Sequence, residues 1–302
     1  MIVFNKVPLT GDPWEHQQKF ERLNINVLCC RYCWLSQWSS QGMAFPYWRL
    51  YWNKTEGAYV IFKQKVYLTP GSILLIPPYT PFSTGIEGNE TQIAHYRLKG
   101  GWITNEADEA FNIELGNILH LYIHFNLGMV YDSITPGIYS FEAGKRELEL
   151  ISGILSNLKQ GSNEFNFYSS LSIYHMIISK VNQLPEYLWV RKKIDARIQG
   201  SIKYIEQNLS SQLENKLLAS DINMAPNSFS RLFKENMDAT PRQFINKLRV
   251  DKACDMLHHT SLSIDKIAEQ CGFFDRYHFS KIFTKTMKVT PAYYRRSFVL
   301  GT

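Results

Sequence analysis

The chain changes its hydrophobic period midway. Through the first half, short runs rich in aromatic and β-branched residues recur between Gly, Pro, Asn and Thr, at 47–52, 58–62, 65–68, 72–76 and 120–125. Runs of this length and composition predict strands, and strands at such spacing predict a barrel or sandwich. Over 141–159 and 165–182 the apolar residues fall three and four apart instead. Leu148, Ile151, Leu155 and Leu158 make one stripe, and Leu171, Tyr174 and Ile178 another. These segments predict amphipathic helices that pack on the barrel or on a second copy of the chain. Pro185 breaks the second helix, and residues 183–193 end in Arg191, Lys192 and Lys193, in the manner of a linker.

Beyond the linker the helical pattern repeats. The segment FSRLFKENMDATP at 229–241 returns fifty residues later as FSKIFTKTMKVTP at 279–291, with six of thirteen positions identical. Arg231/Lys281, Leu232/Ile282 and Ala239/Val289 are physically equivalent replacements, so one small helical unit is built twice. A shorter helix precedes each copy, with Ala219 or Ala268 on its inner face. A residue tolerant of positive φ follows, Asn223 or Gly272. This is the pattern of a helix-turn-helix. Phe229, Leu232 and Phe233, like Phe279, Ile282 and Phe283, bury one stripe. The opposite stripes present Asn227, Ser228, Ser230, Arg231 and Lys234, and Arg276, Tyr277, Ser280, Lys281 and Lys285. These groups can hydrogen-bond base edges and phosphates; the competing reading is a solvated helical face. Thr240-Pro241 and Thr290-Pro291 each supply a hydroxyl cap and a proline at the first helical position, which starts a new helix after each unit. The first of these, over 241–257, would be roughly 25 Å long. It is a spacer that can hold two recognition helices about one DNA turn, ~34 Å, apart.

The paired units, the connecting helix FINKLRVDKA at 244–253, the run IDKIAEQCGF at 264–273 and the ending TPAYYR at 290–295 resemble the AraC/XylS regulators of bacterial transcription. The resemblance covers about 195–298. It implies that Asn227, Ser230 and Arg231 in one unit, and Tyr277, Ser280 and Lys281 in the other, enter the major groove of promoter DNA. Lys281 stands where an Arg is common, which removes a bidentate guanine contact. The phrase TPGSILLIPPYTP at 69–81 resembles the jelly-roll (cupin-like) sensor domain attached to many members. The expected fold is therefore α+β. It comprises an N-terminal arm (1–24), a cupin-like ligand-sensing β-barrel (25–140), dimerisation helices (141–182), a linker (183–194) and an all-α tandem helix-turn-helix domain (195–302). The resemblance also implies a homodimer, a small-molecule effector and RNA polymerase as a further partner.

Charge divides the chain in the same place. Residues 196–302 hold 16 Lys/Arg against 10 Asp/Glu, and residues 1–195 hold 17 against 17, so the whole formal charge of +6 lies on the proposed DNA-binding part. Phosphate binding calls for that asymmetry. The N-terminus lacks a basic-then-apolar leader, and no apolar run reaches about 18 residues, so a cytoplasmic protein without a membrane span is expected. Five cysteines in no framework spacing fit a reducing compartment. Cys29, Cys30 and Cys33 read as a metal or redox cluster or as buried strand cysteines; no second ligand pair accompanies them, which favours the strand.

Catalytic cupins hold a metal through several histidines. Here PPYTPF at 77–82 has none, leaving His95, His120 and His124. Four residues apart on one strand face, His120 and His124 lie about 13 Å from each other, too far for one metal. No nucleophile elbow, phosphate loop or carboxylate pair is evident, so no enzyme, no cofactor and no metal is expected. The cavity is better read as a binding site. Trp48, Trp52, Tyr59, Tyr67, Trp102 and Tyr122 offer rings for stacking on a sugar. By resemblance to arabinose-type sensors, His120 and Tyr122 match sugar-contacting positions, and Arg49 stands in for an arginine with no counterpart near Gln41. Two rival readings are a cupin enzyme fused to a DNA-binding domain and a constitutive regulator whose barrel only dimerises.

Overall fold

The computed structural model describes residues 25–88, 97–128, 132–159, 166–189 and 194–296. The arm at 1–24, His95 and the basic end of the linker lie outside these residues. β1 (Asn26–Met43) is the spine of the N-terminal region. Eighteen residues long, it pairs antiparallel with three partners in turn: β8 (Ile118–Asn126), β7 (Arg97–Trp102) and β6 (Phe82–Ile86). The remaining strands are β2 (Trp48–Asn53), β3 (Ala58–Ile61), β4 (Lys65–Leu68), β5 (Ser72–Ile76) and β9 (Tyr139–Glu142). The order β4-β3-β6-β1-β8-β2-β5-β9 makes one curled antiparallel sheet, a half-barrel with β4 and β9 at its ends.

Strand alternation assigns each side chain to one of two cores. Trp48, Leu50 and Trp52 of β2 and Leu119, Leu121, Ile123 and Phe125 of β8 point outward. They meet Ile151, Ile154 and Leu155 of α2 (Lys145–Lys159) and Ile173, Met176 and Ile177 of α3 (Phe167–Val181). Arg49, Tyr51 and Asn53, with His120, Tyr122 and His124, point inward. The cysteines obey the same rule: Cys30 belongs to the outer core and Cys33 to the inner, so the three do not converge.

Three helical expectations need correction. Helix α2 begins at Lys145, because 139–142 pairs as β9 with β5 and Phe141 lies opposite Ile73. Leu148 is exposed, and so are Leu171, Tyr174 and Ile178. The buried face of α3 runs instead through Ile173, Met176 and Ile177, leaving the expected stripe as a second apolar face on the surface. Helix α1 (Glu106–Glu114), not anticipated, carries buried Glu109, which accepts from Tyr32 at 2.7 Å, Lys54 at 2.6 Å and Lys159 at 2.7 Å. This buried cluster ties β1, the β2–β3 turn and α2 to one carboxylate.

The C-terminal region holds α4 (Ala196–Gln207), α5 (Asn215–Asp221), α6 (Pro226–Met237), α7 (Pro241–His259), α8 (Ile264–Gln270), α9 (Arg276–Met287) and α10 (Pro291–Arg296). It has two cores. One gathers Phe229 and Phe233, the other Phe279 and Phe283, all fully buried at about 1.5–3 kcal/mol each. Helix α7 serves both, giving Phe244 and Ile245 to the first and Val250, Ala253, Cys254 and Leu257 to the second. That double duty removes a single apolar stripe from its sequence. Among the described residues no helix is long and apolar enough to cross a membrane.

Candidate nucleic-acid interface and inner cavity

The two repeated units fold alike down to individual hydrogen bonds. In the first, Met224 N–H donates to Ala219 O at 2.9 Å around Asn223 (φ +54°); in the second, Phe273 N–H donates to Ala268 O at 3.0 Å around Gly272 (φ +78°). Ala219 and Ala268 are buried in the respective cores, as a close helix crossing requires. Helices α6 and α9 both end on a left-handed residue, Asp238 or Lys288. Helix α7 then starts on a capping box between Thr240 and Gln243 with Pro241 next, and Thr290 caps α10 by accepting from Tyr293 N–H. Their starts differ: Asp275 caps α9 by accepting from His278 N–H at 2.7 Å, whereas α6 relies on Pro226 at its first position.

With the phenylalanines buried, the opposite stripes face solvent. Asn227, Ser228, Arg231 and Lys234 are exposed on α6, and Arg276, Tyr277, Lys281 and Lys285 on α9. Ser230 and Ser280 are half-buried; Ser230 accepts from Asn215 at 3.1 Å. Arg231 lies 4.0 Å from Glu235, the one carboxylate paired with it among the described residues, while Arg276 is held by Asp265 at 3.2 Å. Sequence reasoning missed Phe274. Its ring is 90% exposed beside Tyr277 at 85%, although its neighbour Phe273 is buried. A doubled aromatic, one more than the core needs, was the available signal.

The units are fastened to each other. Arg249 of α7 donates to Leu209 O at 3.0 Å and Ser211 O at 2.7 Å, and Lys252 donates to Gln270 O at 2.9 Å. A Cβ on Gly272 would sit 2.5 Å from Leu209 O. The chain after α4 thus passes directly over the turn of the second unit.

Inside the half-barrel lies a cavity lined by residues of β1, β2, β6, β7 and β8 and closed on one side by His258 of α7. Arg49, His120 and Tyr122 line it, as the sequence suggests, together with His124. Trp48 and Trp52 do not. They are even-numbered on β2 and lie in the outer core, with Trp48 Nε1 donating to Asp132 at 2.7 Å and Trp52 Nε1 to Pro70 O at 2.9 Å. Tyr67 and Trp102 are exposed. Trp38, Tyr51, Phe45 and Phe82 supply the rings instead. Trp38 was missed because β1 mixes Cys, Arg, Ser and Gln into a strand with no clean alternation, and Phe45 because it lies in the loop after that strand, outside any periodic pattern. His258 could not have been found, since it comes from the other region.

His120 Nδ1 lies 2.7 Å from Asn53 Oδ1, which can only accept, so Nδ1 carries the hydrogen of this bond. Burial lowers the His120 pKa to about 3. Burial likewise pushes the Tyr122 phenol well above its ordinary value. Arg49 is only 1% exposed, and its guanidinium lies 3.6 Å over Phe45, 4.8 Å over Tyr47 and 5.0 Å over Phe82. Nη1 and Nη2 have no well-aligned hydrogen-bond partner. Cation–π contacts contribute about 0.5–2 kcal/mol each. Desolvating a cation costs several.

The mouth of the half-barrel rests on the second helical unit. Phe45 and Tyr47 share one core with Val250, Cys254 and Tyr294. Tyr47 Oη lies 2.7 Å from His258 Nδ1, and Tyr79 Oη donates to Asp251 Oδ2 at 2.6 Å, with Lys247 Nζ 4.3 Å over the Tyr79 ring. Burial raises the Asp251 pKa, and Lys247 and Tyr79 pull it back.

Residues 218–297 match the family model described as a helix-turn-helix domain. The chain is 26% identical over 148 residues to the lactose operon transcription activator of Staphylococcus xylosus, covering 49% of this chain and 53% of that protein. It is 33% identical over 102 residues to the regulatory protein PocR of Salmonella typhimurium, covering 34% of each. The chain thus spans about half or less of the length of these curated relatives. Among solved structures, ToxT from Vibrio cholerae is similar over 92% of this chain and 100% of its own, at 15% identity and a TM-score of 0.49. Both halves of the sequence repeat fall inside the matched region, so the C-terminal part of the chain is a helix-turn-helix domain similar to those of these transcription regulators.

Proposed function

We propose that this protein is a sequence-specific, ligand-responsive regulator of transcription, which reads duplex DNA with α6 and α9 and binds a small effector in the half-barrel. The observation that carries the reading is the matched pair of polar stripes, one on each repeated helix, on scaffolds locked together by Arg249. Arg231 and Lys281 are assigned to base edges, Lys234 and Lys285 to phosphates, and the exposed rings of Phe274 and Tyr277 to apolar contact with thymine methyls. The contact between the mouth of the half-barrel and α7 gives effector binding a route to the DNA-binding helices. The exposed face of α3, with Leu171, Tyr174 and Ile178, supports a homodimer; a monomer in sedimentation at micromolar concentration would remove that part.

The test is a salt titration of duplex DNA binding by the full chain. Affinity should fall by about 0.9 decades per decade of salt for each phosphate neutralised. A flat dependence refutes the reading.

A further inference from the structure

We propose that the inner cavity takes a small organic anion, a monocarboxylate with a short apolar body, whose carboxylate is bound by Arg49. The inference deepens the ligand-responsive reading and rests on it. Arg49 is the only Lys or Arg among the described residues lining the cavity, and His120 beside it is neutral. The rings of Phe45, Tyr47 and Phe82 hold the guanidinium, and Tyr47 also offers it a hydrogen bond through its hydroxyl, but Nη1 and Nη2 are left without a well-aligned bond. Two terminal nitrogens with no well-aligned partner among the described residues present a planar fork, which matches a carboxylate in bidentate geometry. No protein carboxylate fills that place: no ion pair to Arg49 occurs among the described residues, and Asp255, on the facing helix, has Asp251 and Asp132 as its charged neighbours. Among the other lining groups, Ser40 and Thr84 pair at 3.0 Å, and His120 bonds Asn53 at 2.7 Å. Among the described residues no carboxylate balances the Arg49 cation. A neutral sugar would leave it so, whereas an anion removes the charge. The walls from Trp38, Leu35 and Leu98 then receive an apolar body. The space open to centres of water-sized molecules is about 60 Å³, on the order of four waters, so that body is short.

The experiment is thermal unfolding of the full chain with isovalerate and phenylacetate, each beside its amide, and with lactose and rhamnose as neutral sugars. A carboxylate should raise Tm saturably, by about 5 °C at a hundredfold excess over its Kd, and its amide should not. Arg49→Met should abolish the response while unfolding at the same temperature as the wild type or higher, because it replaces an unpaired buried cation with an apolar chain. Arg49→Lys should weaken binding tenfold or more. Equal shifts with the amides, a response retained in Arg49→Met, a response to the sugars alone, or no shift with either carboxylate would overturn the proposal. DNA affinity, measured without any of these compounds, separates this outcome from failure of the regulator reading.

Discussion

Gly272→Ala is the substitution whose cost the structure sets most directly. At φ +78° an alanine pays roughly 1–2 kcal/mol for the left-handed conformation alone. Its Cβ would also lie 2.5 Å from Leu209 O, 2.8 Å from Ser210 Cα and 2.9 Å from Ser210 C, all backbone atoms that cannot rotate away. Overpacking of this kind adds about 1–3 kcal/mol, for a total of ~3 kcal/mol or more. Relief requires the 209–211 segment to move, and Arg249 pins that segment by two hydrogen bonds. The damage should therefore reach function as well as stability, because the same segment fixes one unit relative to the other. Denaturant unfolding and DNA binding would read both. Asn223→Gly, at the equivalent turn with φ +54°, is the control and should change little. If Gly272→Ala unfolds within about 0.5 kcal/mol of the wild type and binds DNA equally well, the described contact between the units is wrong.

Two further outcomes follow from the same geometry. Arg231→Ala should cost about 1–3 kcal/mol on a preferred operator and little on random duplex, whereas Lys234→Ala should weaken both alike; competition binding separates the two. Burial raises the Glu109 pKa, but hydrogen bonds from Lys159, Lys54 and Tyr32 outweigh it and hold the carboxyl at about 2, against an ordinary 4.5. The stabilisation is therefore full above pH 4.5 and lost as the pH falls towards 2, with an upper limit of about 3 kcal/mol. Acid unfolding should show Glu109→Gln less stable at neutral pH and flatter across that window; parallel curves for the two proteins would exclude the network.

The duplicated helical units were legible because their cores are local: Phe229 and Phe233, like Phe279 and Phe283, report their burial through spacing alone. The exposed stripe was legible for the same reason. The sheet was readable only in its aromatic, β-branched strands. Strand β1 escaped because three successive partners and a mixed composition hide its alternation, and β9 escaped because Phe141 also fits a helix. The tryptophans of β2 misled for a simple reason: Trp48 and Trp52 have the chemistry of a sugar site, but their parity places them opposite Arg49. His258 meets Tyr47, and Asp251 meets Tyr79, across well over a hundred residues of chain, and no local pattern announces such contacts.

The central claim is that both α6 and α9 read bases. Selection of binding sites from random duplexes, with the wild type, Arg231→Ala and Lys281→Ala in parallel, tests it most directly. The wild type should enrich two short motifs about one helical turn, ~10 bp, apart. Arg231→Ala should lose sequence preference in one motif and Lys281→Ala in the other. Enrichment of a single motif, or identical preferences in all three proteins, would contradict the account.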